Sequence, residues 1–294
     1  MSEGEAGTLY IVATPIGNLE DITARAIRVL GEVDLIAAED TRHSRVLLTH
    51  FGIKKPVFSC HKFNEGKRGA FFISELLEGK NIALVSDAGT PCISDPGGVL
   101  VRAAADAGVS VVPICGVSAV TSALSVSGFD ASRFMFVGFL PRKKEGITAL
   151  QSALAACEVV VFYESPRRII GVLELIDKNF PAAQICLCND ISKKFERIYR
   201  GTATDVLAEI AENPAAEKGE YTCVLQMKEN LPQSDNADAS TITLEARLTD
   251  IVVKNTCSLK EASTILFQTR GNEKISKKEI YSAMLRLKEL ALRL

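Results

Sequence analysis

The feature that most restricts the fold is an alternation running from Leu9 to Val112. Four short apolar runs, Leu9-Tyr10-Ile11-Val12, Leu35-Ile36-Ala37-Ala38, Ile82-Ala83-Leu84-Val85 and Val109-Ser110-Val111-Val112, alternate with amphipathic stretches of helical length. The stretches run Ile22–Leu30, Thr41–Phe51, Glu65–Glu78 and Val99–Ala107, and each is followed by a glycine: Gly31, Gly52, Gly79 and Gly108. Glycine just past the last apolar-periodic position stops a helix, because it takes the left-handed conformation at no steric cost. Strands this apolar must be buried on both faces, and helices between them supply the cover. The pattern predicts parallel β-α-β units in an open α/β sheet.

A second unit follows Gly128. Phe134-Met135-Phe136-Val137, Val159-Val160-Val161-Phe162, Gln184-Ile185-Cys186-Leu187 and Tyr221-Thr222-Cys223-Val224-Leu225 read as strands, with helices at 147–156, 167–178 and 203–212 between them. Its strands are expected to be more mixed in direction, with a hairpin near Phe195 to Tyr199. Residues 229–240 are polar and proline-marked and read as a linker. Beyond them, Ser258-Leu259-Lys260-Glu261 and Ser276-Lys277-Lys278-Glu279 have capping-box spacing and should open two helices, with a break at Gly271. The expected organisation is two α/β domains, 1–128 and 129–228, with a ligand cleft between them, and a helical module over 241–294. That module is either an appendage that packs on the body or on a second subunit, or a helix-turn-helix that reads nucleic acid.

Composition narrows the function. The net charge is −2, so any grip on nucleic acid must come from a local basic patch. No apolar run approaches the ~20 residues that span a bilayer, and the acidic start has no secretory pattern, so a cytoplasmic protein with no membrane partner is expected. The eight cysteines show no CxxC pair and no zinc spacing. No metal is expected, and the cysteines read as small hydrophobes, with Cys186 and Cys188 on one face of a strand.

In open α/β sheets ligands bind beyond the carboxyl ends of the strands, so the segments after the strands are the ones to inspect. Thr14-Pro15-Ile16-Gly17-Asn18-Leu19 is a tight turn. Glu39-Asp40-Thr41-Arg42-His43-Ser44-Arg45 clusters acids and arginines at a helix start. Basic residues there oppose the helix dipole and suggest an anionic partner, unless Asp40 or Thr41 is simply a cap. Ser59-Cys60-His61-Lys62-Phe63-Asn64-Glu65 reads as a substrate-facing loop, in which His61 is as easily structural as functional. The strongest signal is Val85 to Gly98, a run rich in Gly, Pro, Asp, Ser and Thr. Its prolines preset the loop and its glycines allow close approach to a ligand such as an adenosine or an amino-acid tail. Ile114-Cys115-Gly116-Val117-Ser118-Ala119 opens a small-residue helix. Phe162-Tyr163-Glu164-Ser165-Pro166-Arg167-Arg168 again puts an acid and two arginines at a strand end, and Asn189 to Glu196 mixes lysines with acids. No P-loop, Gly-x-Gly-x-x-Gly after the first strand, or Gly-x-Ser-x-Gly elbow is present, which argues against the commonest α/β enzyme classes.

Together the runs Ile11–Thr23, Ala38–Arg42, His61–Glu65, Ala83–Gly98, Gly138-Phe139-Leu140-Pro141 and Tyr163–Arg168 resemble the bacterial 16S ribosomal RNA cytidine 2′-O-ribose methyltransferases, which are similar to the tetrapyrrole methylases. The likeness covers residues 8–228, and the C-terminal helices fit the family's appendage. It implies S-adenosylmethionine (SAM) in the cleft between two α/β domains. By motif matching Pro15, Ala88, Gly89, Thr90, Pro91, Ile93, Ser118, Ala119 and Tyr163 would touch it. It implies 16S rRNA in the small ribosomal subunit as partner, and a homodimer. Glu39, Asp40 and Glu164 then become candidate bases for a ribose hydroxyl, and Lys193 a candidate stabiliser of developing alkoxide. Arg42, Arg45, Lys62, Arg167 and Arg168 are expected to contact phosphate, with His61 and Asn64 beside the RNA. Gly89-Thr90-Pro91 stands where tetrapyrrole enzymes carry Gly-Asp-Pro, which favours the RNA branch. Cys115 replaces the RNA branch's usual proline, and Asn189-Asp190-Ile191-Ser192-Lys193 replaces Arg-Glu-Leu-Thr-Lys. Two other readings are a small-molecule methylase, which would act on a porphyrinoid without RNA, and a non-catalytic assembly factor, which would bind SAM without turnover.

Overall fold

The computed structural model describes residues 5–62, 65–142, 144–228, 243–269 and 275–291. The chain divides into two compact units, Met1–Asn230 and Leu231–Leu294.

The first unit holds two five-stranded sheets. In the first sheet β1 (Thr8–Val12), β2 (Leu35–Ala38), β3 (Val57–Ser59), β4 (Ile82–Val85) and β5 (Ser110–Ile114) run in the order β3-β2-β4-β1-β5, all parallel. Successive side chains on a strand point to opposite faces. Ile82 and Leu84 therefore join one core with Phe72 and Leu76 of α3 (Glu65–Leu77) and Leu100 and Ala104 of α4 (Gly98–Asp106). Ala83 and Val85 face the other way, onto Val29 and Leu30 of α1 (Ala24–Glu32) and Leu48 of α2 (Thr41–His50). Burial on both faces is why these strands read as unbroken apolar runs. Gly52, Gly79 and Gly108 take positive φ after their helices, as expected. Gly31 does not end α1, which runs on to Glu32. The helix stops instead where Val33, 1% exposed, turns into the core and its N–H caps Val29 O.

In the second sheet β6 (Met135–Phe139), β7 (Val159–Glu164), β8 (Gln184–Asn189), β9 (Arg197–Gly201) and β10 (Tyr221–Gln226) run in the order β6-β7-β10-β8-β9. Only the β6–β7 pair is parallel, so the sheet is mixed, and β8 and β9 form the expected hairpin. It carries α6 (Lys144–Ala156), α7 (Ile169–Asn179) and α8 (Ala203–Ala211). Val120, Ala123 and Leu124 of α5 (Ala119–Ser127) pack on Val159, Val161, Cys186 and Val224, so the helix that follows the first sheet covers the second. Cys186 and Cys188 do share a face, with their Sγ atoms 3.9 Å apart. Cys60, Cys186, Cys188 and Cys223 are buried, whereas Cys115 is exposed.

Among its described residues the second unit has three helices rather than two: α9 (Leu244–Asn255), α10 (Leu259–Thr269) and α11 (Lys277–Ala291). Both expected capping boxes form. Ser258 N–H donates to Glu261 Oε2 at 2.8 Å, and Ser276 N–H donates to Glu279 Oε2 at 2.7 Å. The additional helix, α9, is capped by Thr243 alone and adds Leu248 to a core of Ala262, Leu266, Ile280 and Ala283. The linker at 229–240 and the break at Gly271 lie outside the described residues. No helix among the described residues is long and apolar enough to cross a membrane.

Candidate functional site

Three loops at the carboxyl ends of the first sheet are bound into one surface. Thr14 N–H, after β1, donates to Gly89 O at 2.9 Å, and Gly89 N–H returns a bond to Thr14 O at 3.0 Å. Thr90 Oγ1 then donates to Val117 O in the loop after β5, at 3.2 Å. Gly89 has φ +75°, and a Cβ there would sit 3.3 Å from Ile16 Cγ2, so glycine suits both the turn and the contact. Cys92 and Ser94 hold positive φ despite their side chains. A backbone kept in that sparsely populated region by its surroundings is a mark of functional loops. The same loop reaches the second sheet, where Ser94 Oγ lies 3.0 Å from the Cβ position of Gly138 on β6.

Between this surface and the second sheet lies a cavity of about 360 Å³. Ile16, Ile93 and Phe139 give it apolar walls, the Ala88–Thr90 backbone and Ser118-Ala119 form one end, and Tyr163 stands against it. The Tyr163 ring is held by Phe136 and Phe139, at centroid distances of 4.9 and 5.5 Å. Burial pushes its hydroxyl up to about 12, helped by the charges of Asp95 and Glu220. Among the described residues the ionisable lining is one-signed: Asp95, Glu164 and Glu220 border the cavity, the Glu164 side chain being fully buried, and no Lys, Arg or His does. Burial drives Asp95 up to about 6, reinforced by Glu39 and Asp87. Glu39 is raised as well, by burial first and by Asp87 second. A pocket of this size with apolar walls, an aromatic ring and carboxylates suits a medium-sized, partly apolar cation.

Residues 8–207 match the family model of tetrapyrrole (corrin/porphyrin) methylases. The chain belongs to the tetrapyrrole methylase family. It is 43% identical over 270 residues to ribosomal RNA small subunit methyltransferase I of Haemophilus influenzae, and 42% identical over 270 residues to the protein of that name from Pasteurella multocida. Each alignment covers 91% of this chain and 94% of the relative. A crystal structure of diphthine synthase shares the fold, with TM-score 0.60 at 14% identity over 76% of this chain and 90% of that one.

In this methylase fold most of the residues expected to touch the cofactor converge on the acidic cavity: Ala88, Gly89, Thr90, Ile93, Ser118, Ala119 and Tyr163 all line it. Pro15 lies along a neighbouring groove of about 350 Å³, and Pro91 is buried without lining the cavity.

The expected base candidates differ in what their carboxylates already do. Asp40 is the N-cap of α2. It accepts Arg42 N–H at 2.8 Å and pairs with Arg42 Nη2 at 2.6 Å, and that guanidinium holds its carboxyl well below the usual range. The capping reading therefore holds for Asp40. The Glu164 side chain is wholly buried and pairs with Arg168 Nη2 at 3.1 Å. Arg168 Nη2 also donates to Leu140 O and Pro141 O, at 2.9 and 3.1 Å, so its charge is turned inward. Lys193 pairs with Asp190 and Glu220, at 2.9 and 3.1 Å, and lies over Gly17 in the groove that holds Pro15. Glu39, half-buried and with a raised pKa, stands beside Asp87 and Asp95.

The Asn189-Asp190 variation is absorbed locally. Asp190 accepts Glu220 N–H at 3.2 Å, and a Cβ on Gly219 would lie 2.3 Å from its Oδ2. Ser192 Oγ donates to Asp21 Oδ2, tying the β8–β9 turn to the first sheet's loops.

Arg42, Arg45, Lys62 and Arg167 are exposed, whereas His61 is half-buried with Glu39 as a charged neighbour; Asn64 lies outside the described residues. Asp95, Phe139 and Glu220 were missed as site residues. Asp95 stands inside the Gly/Pro loop already singled out, and Phe139 beside the Leu-Pro that closes β6. Glu220 follows a turn with no chemical signature of its own.

The raised Asp95 pKa has a stability consequence. Between about pH 4 and pH 6 the unfolded chain has lost this proton and the folded chain keeps it, so stability falls as pH rises through that window. Asp95→Asn removes the effect. It is expected to stabilise the protein by on the order of 1 kcal/mol at neutral pH, allowing for screening of a half-exposed group, and to change little near pH 4. Thermal melts at both pH values test this, and equal shifts at the two would refute it.

Proposed function

We propose that this protein methylates the 2′-oxygen of a cytidine ribose in the decoding centre of 16S rRNA, on the small ribosomal subunit, using SAM. The observation that carries the reading is the all-acidic cavity in a chain whose relatives are named for small-subunit rRNA methylation. The donor set fits the cofactor. Ile16 and Ile93 would flank the adenosine, the 88–90 backbone would meet polar edges, and the carboxylates would face the sulfonium beside Tyr163 and Phe139. When bound, SAM supplies an electrophilic methyl group for an in-line displacement.

The chain's own groups do the rest. The walls exclude water and hold the ribose oxygen in line, which is where most of the rate gain in such a transfer arises. The hydroxyl must also give up a proton. Asp95, at about 6, and Glu39, raised as well, are the carboxylates able to take it near neutral pH. Asp40 and Glu164 are held by arginines and serve architecture in this reading. Lys193, paired with Asp190 and Glu220, orders the loop carrying Gly17 beside the groove where an RNA strand would approach. Arg42, Arg45, Lys62 and Arg167 supply phosphate contacts.

The test incubates the protein with methyl-labelled SAM and small subunits from cells lacking the modification, then maps the label on the 16S RNA. Label on one decoding-centre cytidine ribose is expected. SAM binding with no label on the subunit would overturn the rRNA reading.

A further inference from the structure

Behind the acidic cavity lies a second one of about 440 Å³ with the opposite polarity. Among the described residues its ionisable lining is three arginines, Arg142, Arg167 and Arg168, with no carboxylate. This is notable in a chain of net charge −2. Its floor is apolar, formed by Leu140 and Val172, both mostly buried, with Ile147 and Leu175 beside them. Arg168 is fixed by Glu164 and two carbonyls. Arg142 and Arg167 are exposed and have no ion-pair partner among the described residues.

The two cavities share a wall. Phe139 lines the first and Leu140 the second, and Pro166 lines the first and Arg167 the second. The Glu164–Arg168 pair links the two: Glu164 borders the first cavity with its side chain fully buried, and Arg168 lines the second. A cation is favoured on one side and an anion on the other.

We infer that the second cavity seats a nucleotide of the RNA substrate next to the one being methylated, its phosphate on Arg142 and Arg167 and its base on the apolar floor. An arginine fork matches phosphate bidentately, and an apolar floor accepts the face of a base without reading its edge. The size falls within the ~300–1,000 Å³ of small-ligand sites. The inference rests on an RNA substrate and adds to it a second contact point, which fixes the strand's register over the cofactor cavity.

Gly171 provides a clean test. It lines the cavity on α7, and a Cβ placed there meets nothing within 4 Å. Gly171→Leu would fill the space from a helical position where leucine is the better helix former, so the fold should hold. Binding of the full chain to a fluorescein-labelled single-stranded RNA pentamer is measured by anisotropy over a salt series, with SAM affinity and melting temperature measured on the same preparations. Gly171→Leu is expected to weaken RNA binding about tenfold, as for a base that loses its seat, with SAM affinity unchanged and the melting temperature not lowered. Arg167→Ala is expected to weaken it with a salt slope smaller by about one. Competition by cytidine monophosphate, but not by cytidine or inorganic phosphate alone, is expected for a site that takes base and phosphate together. Wild-type affinity in Gly171→Leu overturns the inference and leaves the rRNA reading standing. A wild-type protein that binds no RNA at all overturns both.

Discussion

Arg168→Ala is expected to destabilise the Met1–Asn230 unit by about 3–5 kcal/mol, the cost of leaving one partner of a buried ion pair behind. The Glu164 side chain has no exposed surface, and its ionic partner within reach is Arg168 Nη2 at 3.1 Å. Ser165 supplies two further donors to Oε1, its N–H at 2.7 Å and its Oγ at 3.3 Å, neither of which carries the charge of a guanidinium. Arg168 also holds Leu140 O and Pro141 O, so its loss frees the end of β6 from the start of α7. If the unpaired charge is the cause, the double substitution Glu164→Gln with Arg168→Ala should recover much of the loss, because glutamine carries no charge to strand. Urea denaturation of the parent and the two variants measures this. A single variant within about 1 kcal/mol of the parent would show that the pair is not what holds this wall.

Gly97→Ala is expected to cost about 2–4 kcal/mol and to lower SAM affinity at least severalfold. Gly97 has φ +126°, a conformation alanine resists. The added Cβ would lie 2.6 Å from Leu84 Cδ2 and 2.8 Å from Cys92 Sγ. Leu84 belongs to the core beneath β4, and Cys92 is one of the positive-φ residues of the Val85–Gly98 loop. Leu84 is packed in that core, and a shift of Cys92 acts on the neighbouring Ile93 to Asp95, which line the cavity. Gly98→Ala is the internal control. Its Cβ meets open space and its backbone lies outside the left-handed region, so the change should be neutral or mildly stabilising. Chemical denaturation and SAM titration of the pair decide the matter, and equal behaviour of the two variants would refute the argument.

Much of the fold was legible because its causes are local. Leu35–Ala38 and Ile82–Val85 are apolar at every position, as strands covered on both faces must be, and the helices between them end on glycines that take positive φ. The exception, Gly31 inside α1, shows the limit. A glycine permits a stop, but the anchoring of Val33 in the core placed it. The helix α9 escaped notice because Thr243 lacks the reciprocal acid that marked α10 and α11. The loop from Val85 to Gly98 stood out through its own composition, and six of its residues line the cavity.

What the chain determined by itself is therefore most of the elements, the loops that line the cavity and, through several motifs in fixed order, the family. Tertiary structure alone decided which charged side chains remain available. Asp40, Glu39 and Glu164 are equivalent acids in the sequence. Folding gives the first to Arg42, buries the third against Arg168 and leaves the second beside Asp87 and Asp95 with a raised pKa. It also sorts the acids of residues 95, 164 and 220 into one cavity and the arginines of residues 142, 167 and 168 into the next. The physical reason is that the state of a charge depends on desolvation and on neighbours within a few ångströms: Arg42 and Arg168 are partners from the same stretch of chain, whereas Asp87 and Asp95 are brought beside Glu39 only by the folding of the sheet.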